Sequence, residues 1–207
     1  MKKLLFILTF TFLSVFVFAQ NQEFAAKSHY FKVVAGVNLS NYYGKGSTGF
    51  DNKFGYRAGI FCNALTKKRI VGIQCGLIVT DKGAKSDLSS AGYGTLTIDE
   101  IYLEVPAEVT FNIPLSKGSG NNFLIGVGCY VSYGIAGKSK INSGSSDTFG
   151  GSVGIEKWDS GIVGEVGLDL GHFSVGVNCD LGLCHIKTTS GDWPYNISYS
   201  LNVGYRF

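Results

Sequence analysis

The chain has 207 residues, with 29 glycines, 3 prolines, 14% aromatic side chains and a formal charge of +3. This length suits one domain, and the glycine and aromatic content favours sheet and turns over helix. Lys2 and Lys3 fall in an expected leader, so Lys+Arg drops from 18 to 16 against 15 acids, a balance that excludes a nucleic-acid binder held by phosphate contacts.

Met1–Lys2–Lys3 is a short basic start, Leu4 to Phe18 is an apolar run, and Val17–Phe18–Ala19 precedes a cut at Ala19/Gln20. These are the parts of a secretory signal peptide, and the run is short for a bilayer-spanning anchor. No cysteine follows the cut, which argues against a lipid-anchored N-terminus. The expected division is a leader at 1–19 and one domain at 20–207. No later stretch reaches eighteen consecutive apolar residues, so a membrane would be crossed by a closed barrel rather than by a helix.

Eight segments then alternate with the period of an extended strand. Phe31–Ser40 sets Phe31, Val33, Ala35, Val37 and Leu39 on one face. Phe54–Asn63 and Val71–Val79 follow. Ile101–Ile113 opposes Ile101, Leu103, Val105, Val109 and Phe111 to Tyr102, Glu104, Pro106, Glu108, Thr110 and Asn112. Phe123–Ile135, Trp158–Leu170 and Phe173–Cys184 repeat the pattern, the second with Asp159, Glu165 and Asp169 on its polar face. Tyr195–Phe207 alternates without a break, Tyr195 to Phe207 against Asn196 to Arg206. The connections alternate short (64–70, 114–122, 171–172) and long (41–53, 81–99, 137–157, 185–194). Short turns at one end and long loops at the other predict an all-β, eight-stranded, antiparallel up-and-down transmembrane barrel in the outer membrane. Both termini then lie on the periplasmic side.

Alternation alone leaves open a secreted lipocalin-like barrel with the opposite sense. The polar face decides for a membrane barrel. It is crowded with glycine (Gly36, Gly55, Gly59, Gly76, Gly126, Gly128, Gly161, Gly176 and others), which suits the inner wall of a narrow barrel. The same face carries Lys32, Arg57, Glu104, Glu108, Glu165, Asp169, Asp180 and Arg206, read as a paired charge network filling the lumen. Arg206 is expected to meet an acid on the seventh or first segment. Glu104 and Glu108 stand about 13 Å apart along one strand, too far for the paired acids of a glycosidase.

Several segments resemble the Bacteroidetes outer-membrane β-barrel domain family, the PorT family, over essentially the whole mature chain. The residues that carry the resemblance are Gly36–Val37–Asn38–Leu39–Ser40–Asn41, Gly55 to Phe61, Lys82–Gly83–Ala84, Tyr102–Leu103–Glu104–Val105–Pro106 and the closing Gly204–Tyr205–Arg206–Phe207. The pentapeptide with Pro106 is the most specific. The resemblance implies an integral outer-membrane barrel and assigns no single function.

Five cysteines (Cys62, Cys75, Cys129, Cys179, Cys184) and three histidines (His29, His172, His185) complete the inventory. A hairpin centred near Lys67 would place Cys75 opposite about Ala58 and out of reach of Cys62, so the cysteines are expected as small apolar side chains. No spacing suggests a metal site, and no cofactor is expected. His185, with Ser190 and Asp192 nearby in sequence, is the one opening for a membrane-embedded hydrolase, but no nucleophile elbow accompanies it, and the chain is not expected to be an enzyme. The expected protein is a monomeric structural or interaction barrel, with a small channel as the other alternative. Its partners would be outer-membrane lipid, the barrel-insertion machinery reading Tyr205 and Phe207, and an envelope or extracellular protein meeting the loops 41–53, 81–99 and 137–157.

Overall fold

The structure is a computed structural model that describes residues 29–207 except 67–69, 93, 117–119, 143, 151–153 and 188–192. The expected leader therefore lies outside the described residues. Eight long strands carry the fold: β1 (His29–Tyr43), β2 (Lys53–Leu65), β3 (Val71–Asp87), β4 (Thr95–Pro114), β5 (Asn122–Ala136), β8 (Trp158–Leu170), β9 (Phe173–His185) and β10 (Tyr195–Arg206). A short hairpin, β6 (Lys138–Ile141) and β7 (Gly144–Asp147), intervenes between β5 and β8. Each long strand pairs antiparallel with its neighbours, and β3–β4 and β1–β10 pairing close the ring. The last strand meets the first in a continuous register from Lys32↔Arg206 to Tyr43↔Tyr195.

The faces sort as the alternation requires. Phe31, Val37, Phe54, Ile60, Val127, Val177, Val203 and Phe207 are exposed on the outside, Phe54 at 77%. Lys32, Asn38, Arg57, Gln74, Glu104, Ser198 and Asn202 are buried inside. A lipocalin-like barrel would show the reverse, and that alternative is overturned. Tyr133 and Trp158 pack edge to face at 4.9 Å near the end that carries the long loops. Phe173, Tyr205 and Phe207 form a second aromatic group beside the short turns. From Tyr133 to Phe123 on β5 is ten residues, about 25 Å of height for a strand tilted about 40°. That matches the apolar band of an outer-membrane barrel.

The turns are where local chemistry is most visible. Gly171 has φ +65° and His172 follows without a positive φ, the pattern of a type II′ hairpin between β8 and β9. Pro106 has no N–H to give, and the β3–β4 ladder is interrupted there, between Cys75↔Ala107 and Ile78↔Glu104, without a change of register. The shift of register on β4 falls instead at Ile101/Tyr102, on the β5 side.

Three expectations need correction. The segment 81–99 is mostly not a loop: β3 runs to Asp87 and β4 starts at Thr95, so the hairpin rises well above the membrane band. The segment 137–157 holds β6 and β7, which extend that sheet through β4. Cys62 is the direct partner of Cys75, not a distant residue, because the β2–β3 turn is centred about two residues later than supposed. Thr66 N–H donates to Val71 O at 2.8 Å and closes that turn.

Candidate functional site

The lumen is built in tiers. At its middle stands a charge quartet drawn from four strands. Arg57 on β2 donates to both carboxylate oxygens of Asp180 on β9, at 3.2 and 3.1 Å, and lies 3.4 Å from Glu104 on β4. Lys82 on β3 donates to Glu104 at 2.7 Å and lies 3.4 Å from Asp180. All four side chains are at most 1% exposed. Two positive and two negative groups with almost no exposed surface therefore face one another, which offsets their desolvation cost. The quartet ties β9 to β2, β3 and β4 across the barrel.

Above the quartet, carboxyl groups are served by neutral donors. Glu100 accepts from the hydroxyls of Tyr42 and Tyr102 and from the amide of Asn196. Asp159 accepts from the Tyr130 hydroxyl at 3.0 Å. Neither acid makes an ion pair among the described residues. The Lys82 ammonium also sits 4.2 Å from the centre of the Tyr130 ring. Below the quartet, Val34, Phe61 and Ile78 form a small apolar cluster. Next comes Glu165, which takes the Gln74 amide at 2.6 Å and stands 3.5 Å from Lys32. At the periplasmic mouth Arg206 lies 4.0 Å from Asp169 and over the Tyr30 ring.

At the outer mouth the polarity inverts. Tyr42, Ala84, Ile98, Ile155 and Ile186 are buried together, with Phe50, Leu96, Phe149 and Trp193 packed against them. Phe149 lies edge-on to Tyr102 at 5.4 Å, and its ring occupies the space that a side chain at Gly134 would need. Side chains from the long connections therefore turn inward and form an apolar cover at this mouth. A cavity of about 470 Å³ opens beside this cover, with Asp99, Ile101, Ile135, Lys138, Lys140 and Phe149 among its lining.

Of the charges expected in the lumen, Lys32, Arg57, Glu104, Glu165, Asp169, Asp180 and Arg206 all make ion pairs. Glu108 is buried beside its strand partner Gln74 but makes no ion pair among the described residues. Arg206 reaches past β9 to Asp169 on β8, the sixth strand of the barrel, rather than to the seventh or first. Its length and the narrow bore allow it to span two strands. Sequence reasoning left Lys53 and Lys82 in loops. Both are buried, Lys53 holding Asp81 at 2.6 Å and Asp99 at 3.2 Å.

His185 is held between the end of its own strand and the start of the last one. One ring nitrogen faces the Trp193 carbonyl, the other the Tyr195 hydroxyl at 2.9 Å, and the ring stacks on Tyr195. Ser190 and Asp192 lie outside the described residues. No group of three His, Cys, Asp or Glu among the described residues could hold a metal ion.

No curated protein matches the chain. Among solved structures, Ail, the attachment invasion locus protein of Yersinia pestis, crystallised with the heparin analogue sucrose octasulfate, is 15% identical, with a TM-score of 0.46 over 87% of this chain and 99% of that one. Neisserial surface protein A is 13% identical, with a TM-score of 0.48 over 86% and 97%. The outer membrane protein AlkL is 15% identical, with a TM-score of 0.34 over 91% and 97%. The model of the outer membrane protein beta-barrel domain matches residues 18–188. The chain belongs to that family and is an outer-membrane β-barrel protein.

Proposed function

We propose that this barrel is non-conducting and works through its outer end, as a structural or docking protein of the envelope. The observation that carries the reading is the quartet Arg57, Lys82, Glu104 and Asp180, which crosses the lumen with no exposed member. The apolar cover of Tyr42, Ile98, Ile155 and Phe149 supports it, since a solute path would have to cross both layers. Recognition is assigned to the connections 44–52, 88–94 and 137–157 and to the sheet that rises with β3, β4, β6 and β7. β7 stands last in the strand order, with β6 its one strand partner among the described residues, and edge strands and loops carried on a rigid scaffold are where recognition concentrates. Tyr205 and Phe207 are assigned to reading by the insertion machinery, and the five short motifs favour kinship with the PorT family within the broader one.

Deletion of residues 139–146 tests the docking role, because it removes the hairpin while leaving Thr148, Phe149 and Ile155 to cover the lumen. Crosslinking from the cell surface should then lose a partner seen with the full chain, with the heat-modifiable gel shift of the barrel retained. Equal crosslinking after deletion would contradict the assignment.

A further inference from the structure

Three cysteines lie in one row around the outside of the barrel. Cys62 on β2 is the direct partner of Cys75 on β3, Cys75 faces Ala107 on β4, and Ala107 faces Cys129 on β5. Antiparallel partners present their side chains to the same face, and both Cys62 and Cys75 are exposed there as free cysteines. The Thr66 N–H bond to Val71 O marks that pair as hydrogen-bonded. Bonded pairs recur at every second residue along the ladder, so Cys62–Cys75 is one of them, with Cα atoms about 5.5 Å apart. That spacing lies inside the Cα range a disulfide spans, and the bridge draws the two Cβ atoms, about 5.5 Å apart in such a pair, closer by about 1 Å. Cys129 stands two strands from Cys75, about 10 Å away and too far to compete. Cys179 faces Gly164 and Tyr199, and Cys184 lies against Ser160 Oγ at 3.2 Å.

We propose that Cys62 and Cys75 are joined by a cross-strand disulfide in the exported protein. The chain is an outer-membrane protein and reaches its place through an oxidising compartment. The reaction is thiol–disulfide exchange with a periplasmic dithiol oxidoreductase in its disulfide form. One thiolate attacks that disulfide to give a mixed disulfide, and the second thiolate attacks the mixed disulfide. One S–S bond forms between Cys62 and Cys75 as that of the oxidoreductase breaks, and the two electrons and two protons depart with the oxidoreductase as its dithiol. The exchange needs thiolate, which water stabilises and lipid does not, so it takes place while the β2–β3 hairpin is still outside the bilayer. The product cross-links β2 to β3 near their turn and fixes the register of the hairpin before the ring is complete. The other three cysteines remain thiols.

The test is to quench cells expressing the full chain with N-ethylmaleimide, purify the barrel from the outer membrane, and digest it with trypsin without reduction. Cleavage after Arg57, Lys67, Arg69 and Lys82 isolates peptides 58–67 and 70–82, each with one of the two cysteines. The expected result is a single linked pair of these peptides, split by reductant, with Cys129, Cys179 and Cys184 alkylated. Recovery of Cys62 and Cys75 as alkylated thiols, or linkage of either to another cysteine, would overturn the proposal. A second arm exposes reduced, urea-unfolded full-length protein to oxidised glutathione during refolding into detergent. Cys62→Ser and Cys75→Ser should each leave a free thiol at the other position, and a bridge that re-forms to Cys129 at equal yield would count against the register.

Discussion

Replacing Arg57 with methionine removes one cation from the quartet while keeping most of the side chain's length. Glu104 and Asp180 are then left with the Lys82 ammonium alone, at 2.7 and 3.4 Å. Breaking a buried ion pair on one side costs about 3–5 kcal/mol, because the surviving charge stays desolvated. Lys82 still serves both acids, so the lower end applies, about 3 kcal/mol, or roughly a hundredfold in the folding equilibrium. Urea unfolding of the barrel in lipid vesicles, followed by the fluorescence of Trp158 and Trp193, reads this as a fall in midpoint. The second half of the test is Arg57→Met combined with Asp180→Leu. That pair removes one charge of each sign and leaves Lys82 on Glu104, so at least half of the loss should return. A single variant within about 1 kcal/mol of the parent, or a double variant equal to the sum of the two singles, would refute the reading of the quartet as one coupled unit.

Other consequences can be checked alongside. A Cβ on Gly134 would lie 2.5 Å from the Phe149 ring, so Gly134→Val should expel that ring and speed proteolysis within 148–157, at a stability cost of about 1–3 kcal/mol. Phe207→Ala should slow insertion in cells, seen as unassembled protein in the periplasm, while refolding into detergent is little changed; normal insertion would remove the role assigned to Phe207. Asp87, at the exposed tip of the β3–β4 hairpin, accepts bonds from the Ser89 N–H and hydroxyl, which hold its carboxyl below the ordinary carboxylate range. The order that these bonds lend the tip is therefore present above the ordinary carboxylate pKa and fades as pH falls through the lowered value. An NMR titration should show this, with Ser89→Ala moving the midpoint upward.

The barrel was legible because lipid imposes a strict rule on one face and a narrow bore imposes another on the opposite face. Residues 195–207 obey both at once, and Lys32↔Arg206 pairing at the seam follows from the eight-strand closure. The height of the hairpins was hidden by a reversal of phase. Above the membrane, Ala84, Leu96 and Ile98 turn inward to the cover, so the segment no longer reads as apolar-out strand. Lys82 was missed for the same reason, although Thr80, Lys82, Ala84 and Ser86 share one buried face. The cover itself is drawn from Phe50, Phe149, Ile155 and Ile186, single apolar residues in loops rich in glycine and serine, and hydropathy gives no sign of where such residues meet. The Cys62–Cys75 partnership turned on a displacement of two residues at one turn, below what sequence spacing resolves.

The proposed closure of the lumen by its own side chains can be read electrically. The direct measurement is the current through a planar lipid bilayer containing the purified full-length barrel. A closed lumen leaves the membrane silent at moderate voltage, with steps emerging only when the quartet and the cover are both opened, as in Arg57→Ala with Lys82→Ala and Phe149→Ala. Discrete conductance steps from the unaltered protein would contradict it.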